Sequence, residues 1–183
     1  MKTKLWNFWV ALHWIMAILV ITMFLIGQFR LTTLISAETK VIPLTIHILL
    51  GATLMIVVLL RLAIRQKVVR KPLFSRDSGS TSKNPTDRIN RITQPLLYFT
   101  TLLMGISGLS MSIPADLFGK LILGNGQPLP ADMSIFPARQ FHVFFSILLI
   151  VFVVVHLLVF VQHQFLFKEK YIKKMWFSKR KLK

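Results

Sequence analysis

The chain has 183 residues, of which 54% are hydrophobic and 16% charged, and its formal net charge at pH 7 is +17. A mean hydropathy of +0.63 argues against an ordinary soluble domain, since soluble chains of this length are seldom so apolar. The absence of cysteine from the sequence excludes disulfides, cysteine-ligated iron–sulfur clusters and covalently attached haem c.

The positive charge does not indicate a nucleic-acid partner, because it lies in three blocks that border apolar segments. Lys2 and Lys4 precede the first apolar segment, nine basic residues lie between Arg61 and Arg91, and eight follow Phe167. Basic residues in such positions set membrane topology and contact lipid headgroups. Membrane lipid is therefore the predicted partner of these blocks, and no nucleic acid is expected.

The apolar residues fall into four segments, each long enough to cross about 30 Å of hydrocarbon as a helix. The predicted fold is all-α, a single integral membrane domain over residues 1–183 built as a four-transmembrane-helix bundle. The predicted spans are residues 5–27, 41–60, 95–113 and 141–167, followed by a tail over residues 168–183.

The distribution of Lys and Arg between the connecting segments predicts the orientation. Two basic residues lie between spans one and two and two between spans three and four. By contrast, nine lie between spans two and three, and eight lie in the tail. By the positive-inside rule, both termini and the central segment, roughly residues 66–90, are cytoplasmic. The polar residues of that central segment predict a flexible linker.

All five histidines fall within the predicted spans, where an ionisable side chain is costly and indicates a functional site. The alternative is a set of neutral histidines hydrogen-bonded between helices. In the predicted orientation, His13 and His156 lie toward the cytoplasm, whereas His47 and His142 lie toward the outer face. The depths therefore predict two pairs, one at each level.

The spacing within span four supports two separate sites. Fourteen residues separate His142 from His156, which returns the side chain to nearly the same helix face about 21 Å along the axis. One helix thus supplies one ligand to each of two levels, and spans one and two supply the opposing ligands.

Two facing histidines suit haem iron better than zinc. Zinc normally takes four ligands, and the predicted spans hold no cysteine or acidic residue. Haem iron needs only two axial ligands, because the porphyrin supplies four nitrogens. The prediction is two non-covalent haem b groups that carry electrons, with the iron held by His13, His156, His47 and His142.

Three further residues are candidates for haem binding. Gly51 lies one turn after His47, where a missing side chain leaves room for a macrocycle edge. Arg61 and Arg139 are placed to pair with propionates of the cytoplasmic-side and outer haem respectively. The alternatives are ordinary small-residue helix packing for Gly51 and snorkelling for the arginines.

Two residues near the cytoplasmic interface are candidates for a quinone site. His163 follows His156 by seven residues on the same face, and its alternative role is to face interfacial water. Trp9 belongs to a tryptophan cluster whose alternative role is an interfacial aromatic belt.

Several short motifs, taken in chain order over nearly the whole sequence, resemble the bacterial di-haem cytochrome b561 family. They are Leu12-His13-Trp14, His47-x3-Gly51 with Arg61 and Arg65, Gly105-Ile106-Ser107-Gly108, and His142 with His156 and His163.

The resemblance implies bis-histidine haems in a multi-pass protein of the bacterial cytoplasmic (inner) membrane. It implies electron exchange with a quinone, ubiquinone or menaquinone, and a small-molecule or periplasmic electron donor at the outer face. With superoxide as donor, the activity expected is that of a superoxide:quinone oxidoreductase. The alternative is a haem-binding membrane anchor subunit of a separate redox enzyme.

Overall fold

The computed structural model of the chain describes residues 2–31, 37–69, 85–124, 129–130, 133–166, 168 and 172. Within these residues every regular element is helical. A six-residue π-helical turn, 26–31, continues the first long helix, and a five-residue one, 162–166, continues the last. The helices are α1 (Lys2–Leu25), α2 (Ala37–Val69), α3 (Pro85–Ser112), α4 (Leu117–Leu121) and α5 (Pro137–Val161).

Four of these helical segments are long and apolar enough to cross a membrane. They cover Lys4–Leu31, Thr39–Arg65, Arg91–Ser112 and Pro137–Leu166, so the predicted all-α fold with four spans is confirmed. The π-helical turns lengthen the first and last spans beyond their α-helical parts.

The second and third spans begin or end at other residues than the sequence predicted. The predicted second span stopped at residue 60, before the first charge, but α2 continues past Arg61 to Val69. The sequence predicts that span three starts at Pro95, yet α3 begins at Pro85 and contains Pro95. Transmembrane helices tolerate such prolines when neighbouring groups satisfy the freed carbonyl. The ends of the predicted central linker are therefore helical, and residues 70–84 lie outside the described residues.

The spans associate as two helix pairs. Backbone contact is extensive between α1 and α2 and between α3 and α5, whereas α2 meets α3 over a shorter stretch. Backbone contact between α5 and either α1 or α2 is sparse in the described part of the chain. A gap therefore separates the backbone of α5 from the α1/α2 pair, and side chains must bridge it.

A small core joins the two pairs on the side where α2 meets α3. Leu54 and Val58 of α2 are buried against Tyr98 of α3. Gly105 brings the same helices close together, because a side chain there would overlap Met55. These contacts fix α2 against α3, and α1 and α5 lie on the remaining sides. Partly buried residues around the core are Met16, Leu19, Val20, Leu62 and Leu102.

Part of the segment between α3 and α5 is folded. Asp116, in a left-handed conformation with φ 46°, caps α4 by accepting a hydrogen bond from the backbone N–H of Gly119. Ala115 and Leu117 are buried, at 2% and 1% exposure. This segment thus packs onto the protein at the end of the bundle where α5 begins.

Candidate functional site

Four of the five histidines form two facing pairs across the interval beside α5. The ring centroids of His13 on α1 and His156 on α5 are 6.4 Å apart. Those of His47 on α2 and His142 on α5 are 6.2 Å apart. The structure thus brings together the same two pairs that the predicted depths had matched.

These separations fit one metal ion between two imidazoles. An imidazole nitrogen binds a transition-metal ion at about 2 Å and lies about 1 Å from its ring centre, so two axial imidazoles hold their centres about 6 Å apart. The ring planes are inclined at 76° and 70°, so neither pair is stacked face to face.

A hydrogen-bonded histidine pair fits less well. The buried Nδ1 atoms of His13, His47 and His156 have no hydrogen-bond partner among the described residues. Buried polar nitrogens of this kind are costly in a membrane unless something binds the ring. Side-chain hydrogen bonding between the helices therefore does not explain why these rings face each other.

The donor set suits a ligand that brings its own nitrogens. Within the described residues, no group of three or more histidine, cysteine or carboxylate side chains is placed to hold a metal ion. Each histidine pair therefore offers only two protein ligands. A haem, whose porphyrin occupies four positions of its iron, fits such a pair, whereas a structural zinc ion does not.

His142 differs from the other three ligand candidates in having hydrogen-bond partners. Its Nδ1 lies 3.1 Å from the carbonyl oxygen of Met104 and 3.1 Å from Oγ of Ser107. A carbonyl can only accept, so Nδ1 carries the proton and Nε2 is left for a metal. The Ser107 hydroxyl donates to the same carbonyl at 2.9 Å, so its oxygen is free to accept from His142.

Glycines stand behind both rings of the His47/His142 pair. A Cβ atom on Gly27 would lie 3.5 Å from Cε1 of His47, and one on Gly108 would lie 3.4 Å from Cε1 of His142. Larger side chains at either position would press directly on the imidazole. Gly51, which is predicted to face a macrocycle edge, lies beside Met23, whose methyl group is 3.2 Å from the ideal Cβ position of Gly51.

Arg61 is buried beside the other pair. Its side chain is only 3% exposed, and its Nε donates to the Tyr98 hydroxyl at 2.5 Å while Nη1 donates to the Trp9 carbonyl at 2.9 Å. The guanidinium also lies 4.2 Å from the Trp9 ring centroid, a cation–π contact. Trp9 precedes His13 by one helical turn on α1, so these contacts place the guanidinium beside the His13/His156 pair.

Arg61 is a charged residue within a span, although the predicted span two ended at residue 60. Hydropathy placed it just beyond span two, but it lies within Thr39–Arg65. Three contacts from α1 and α3 satisfy the guanidinium there, so it does not need to snorkel to water.

The remaining candidates lie in different surroundings. Arg139 is exposed in the first turn of α5. His163 has 0% exposure in the terminal π-helical turn, so the interpretation that it faces interfacial water is wrong. Trp9 is half-buried against Arg61 and lies 5.5 Å from Trp6, centroid to centroid, so its ring takes part in a polar cluster rather than only an interfacial belt.

The sequence motifs do not predict the contacts made by Ser107 and Tyr98. Ser107 belongs to the Gly105-Ile106-Ser107-Gly108 motif, but it is 6% exposed and touches a ligand candidate. Tyr98 belongs to none of the motifs. A tyrosine in an apolar span, one of two tyrosines in the chain, was the available signal, because a buried hydroxyl needs a partner.

The fold is that of a multi-pass membrane protein with two pairs of facing histidines between its helices. The sequence model of the prokaryotic cytochrome b561 family matches residues 6–178. The chain belongs to this family, whose members bind haem b in bacterial membranes and transfer electrons. Searches of curated proteins and of solved structures returned no significant match.

We predict that Tyr98→Phe destabilises the protein through Arg61. The change leaves a buried charged donor without its acceptor, which costs about 1–3 kcal/mol. Thermal unfolding in detergent would show the loss. In an Arg61→Met background the same change should cost little; equal losses in both backgrounds would mean that Tyr98 does not act through Arg61.

Proposed function

We propose that the chain is a di-haem b electron carrier, with one haem held by His13 and His156 and the other by His47 and His142. The observation that carries the proposal is the pair of ring separations, 6.4 and 6.2 Å, in a protein of a haem b family. Bound haem would supply reversible one-electron chemistry, and the two histidines of each pair would hold its iron.

The residues around each pair have separate tasks in this proposal. The histidines hold iron, and Met104 and Ser107 fix the ring of His142. Arg61 places a positive charge near the His13/His156 pair, where it stabilises added negative charge, including that of propionates. Arg139, exposed three residues before His142, is the propionate partner proposed at the other level.

The spacing of the pairs supports transfer across the membrane. His142 and His156 lie in one uninterrupted helix, α5, so the two levels are about 21 Å apart along it. Two sites divide the crossing of about 30 Å of hydrocarbon into shorter electron steps. With both termini in the cytoplasm, the His47/His142 pair is the outer pair and the His13/His156 pair is the inner pair.

The proposed route runs between a donor at the outer face and the quinone pool of the bacterial inner membrane. Superoxide is the small-molecule donor proposed, and ubiquinone or menaquinone the acceptor. The quinone site proposed lies at the inner end of the bundle, near His163 and Trp9. His163 lies about 10 Å beyond His156 along the helix.

Substitution of single histidines tests the ligand assignment. His13→Ala and His156→Ala should each remove the same haem, because one axial ligand does not hold it, and His47→Ala and His142→Ala should each remove the other. Haem content and reduced-minus-oxidised spectra would report the losses. His163→Asn should retain both haems; if it loses one, His163 is a ligand and the assignment fails.

Introduced cysteines test the orientation, since the chain has no native cysteine. Leu123, which is 70% exposed between α4 and α5, should react as Leu123→Cys with a membrane-impermeant maleimide added outside spheroplasts. Ser78→Cys in the central segment should react only after lysis. The reverse pattern would exchange the inner and outer pairs.

A stopped-flow experiment tests donor and acceptor. Superoxide should reduce the haems of the purified protein, superoxide dismutase should abolish that reduction, and a short-chain quinone should then reoxidise them. Reduction that requires a separate protein subunit would instead support the membrane anchor alternative.

A further inference from the structure

Two polar features distinguish the histidine pairs. The outer pair has a hydrogen-bonded ligand, His142, and the inner pair has a buried cation, Arg61. Met104, Ser107 and Arg61, the groups that produce these features, would not bind iron themselves. Each feature changes the energy of adding an electron at its own pair, and the two changes have opposite signs.

The hydrogen bonds to His142 favour the oxidised state. Nδ1–H points toward the Met104 carbonyl and the Ser107 hydroxyl, each 3.1 Å away. Acceptors at this nitrogen make the ring a more basic ligand through Nε2, which stabilises ferric iron over ferrous iron. No such acceptor is present for Nδ1 of His13, His47 or His156 within the described residues.

The guanidinium of Arg61 favours the reduced state. Its position is fixed, because Tyr98, the Trp9 carbonyl and the Trp9 ring hold it from two neighbouring helices. In a low-dielectric interior, a fixed positive charge lowers the energy of a nearby added electron. The Trp9 carbonyl and ring that Arg61 contacts lie one helical turn before His13 on α1, so the guanidinium lies beside the inner pair.

We propose that Ser107 is a positioning residue for His142 and that it acts with Arg61 to make the outer haem the lower-potential haem of the two. Electrons entering at the outer face then pass to the inner haem down a gradient of potential that the protein itself sets. This inference rests on the proposed function, since it requires one haem at each pair.

Ser107→Ala tests the outer half of the proposal in a redox titration of the purified, haem-loaded protein. Losing one acceptor should raise the potential of the lower-potential component only. At a fixed applied potential, the ratio of oxidised to reduced haem should change by up to tenfold. For a one-electron couple this corresponds to a shift in potential of about 59 mV. Ser107→Thr restores a hydroxyl and should return the potential toward that of the unsubstituted protein.

Ser110→Ala is the matched control. Its hydroxyl donates to the carbonyl of Ile106, as that of Ser107 does to Met104, so both substitutions remove a helix-bound hydroxyl from α3. Ser110→Ala should leave both potentials unchanged. Should Ser107→Ala fail to hold haem, Ser107→Cys supplies a weaker acceptor of similar size and should give a smaller shift in the same direction.

Arg61→Gln and Arg61→Lys test the inner half. The neutral glutamine should lower the potential of the higher-potential component, whereas lysine, which keeps the charge, should change it less. In His142→Ala protein, which retains only the inner haem, the remaining component should be the higher one.

Three results would overturn the inference. The first is a shift in the potential of the lower-potential component that is equal in Ser107→Ala and Ser110→Ala. The second is a shift in the higher-potential component in Ser107→Ala. The third is unsubstituted protein with fewer than two haems per chain, which would also refute the proposed function. Haem content, measured first, therefore distinguishes the failure of the inference alone from the failure of both.

Discussion

The structure depends on two pairs of imidazole rings that face each other from helices whose backbones stay apart. Ring separations of 6.4 and 6.2 Å bridge the interval between α5 and the α1/α2 pair. Close backbone approach between these helices is sparse in the described part of the chain. A metal bond through two histidines would therefore link α5 to the α1/α2 pair. Because α5 carries one histidine at each level, its register would fix both sites.

The two histidine pairs have different polar neighbours. Beside the His47/His142 pair, a backbone carbonyl and a serine bind the ring of His142. Beside the His13/His156 pair, a full positive charge is buried, and a tyrosine, a carbonyl and an indole ring surround it. An unpaired arginine in hydrocarbon would be costly, so the Arg61 cluster has a structural reason to exist even apart from its electrostatic effect on the histidines.

Much of the fold could be predicted from the sequence, because helix number and histidine depth depend on local hydropathy and on helix geometry. The fourteen-residue spacing in α5 alone indicates two levels. The ends of the helices could not be predicted in the same way, since a hydropathy count stops at Arg61 while the helix continues to Val69. The contacts of Arg61 with Tyr98 and of Ser107 with His142 could not be predicted either. The first joins residues 37 positions apart and the second residues 35 positions apart, so both depend on how the helices pack. The position of Gly51 beside Met23 also follows from how α1 meets α2, which residue spacing within α2 does not specify.

The coordination of iron by two histidine pairs is tested most directly by electron paramagnetic resonance of the oxidised, purified protein, with haem and chain quantified on the same sample. We predict two low-spin ferric signals, of the kind given by two axial imidazoles, which together amount to two haems per chain. A single signal at one haem per chain, or a dominant high-spin signal from iron with an open axial position, would contradict it.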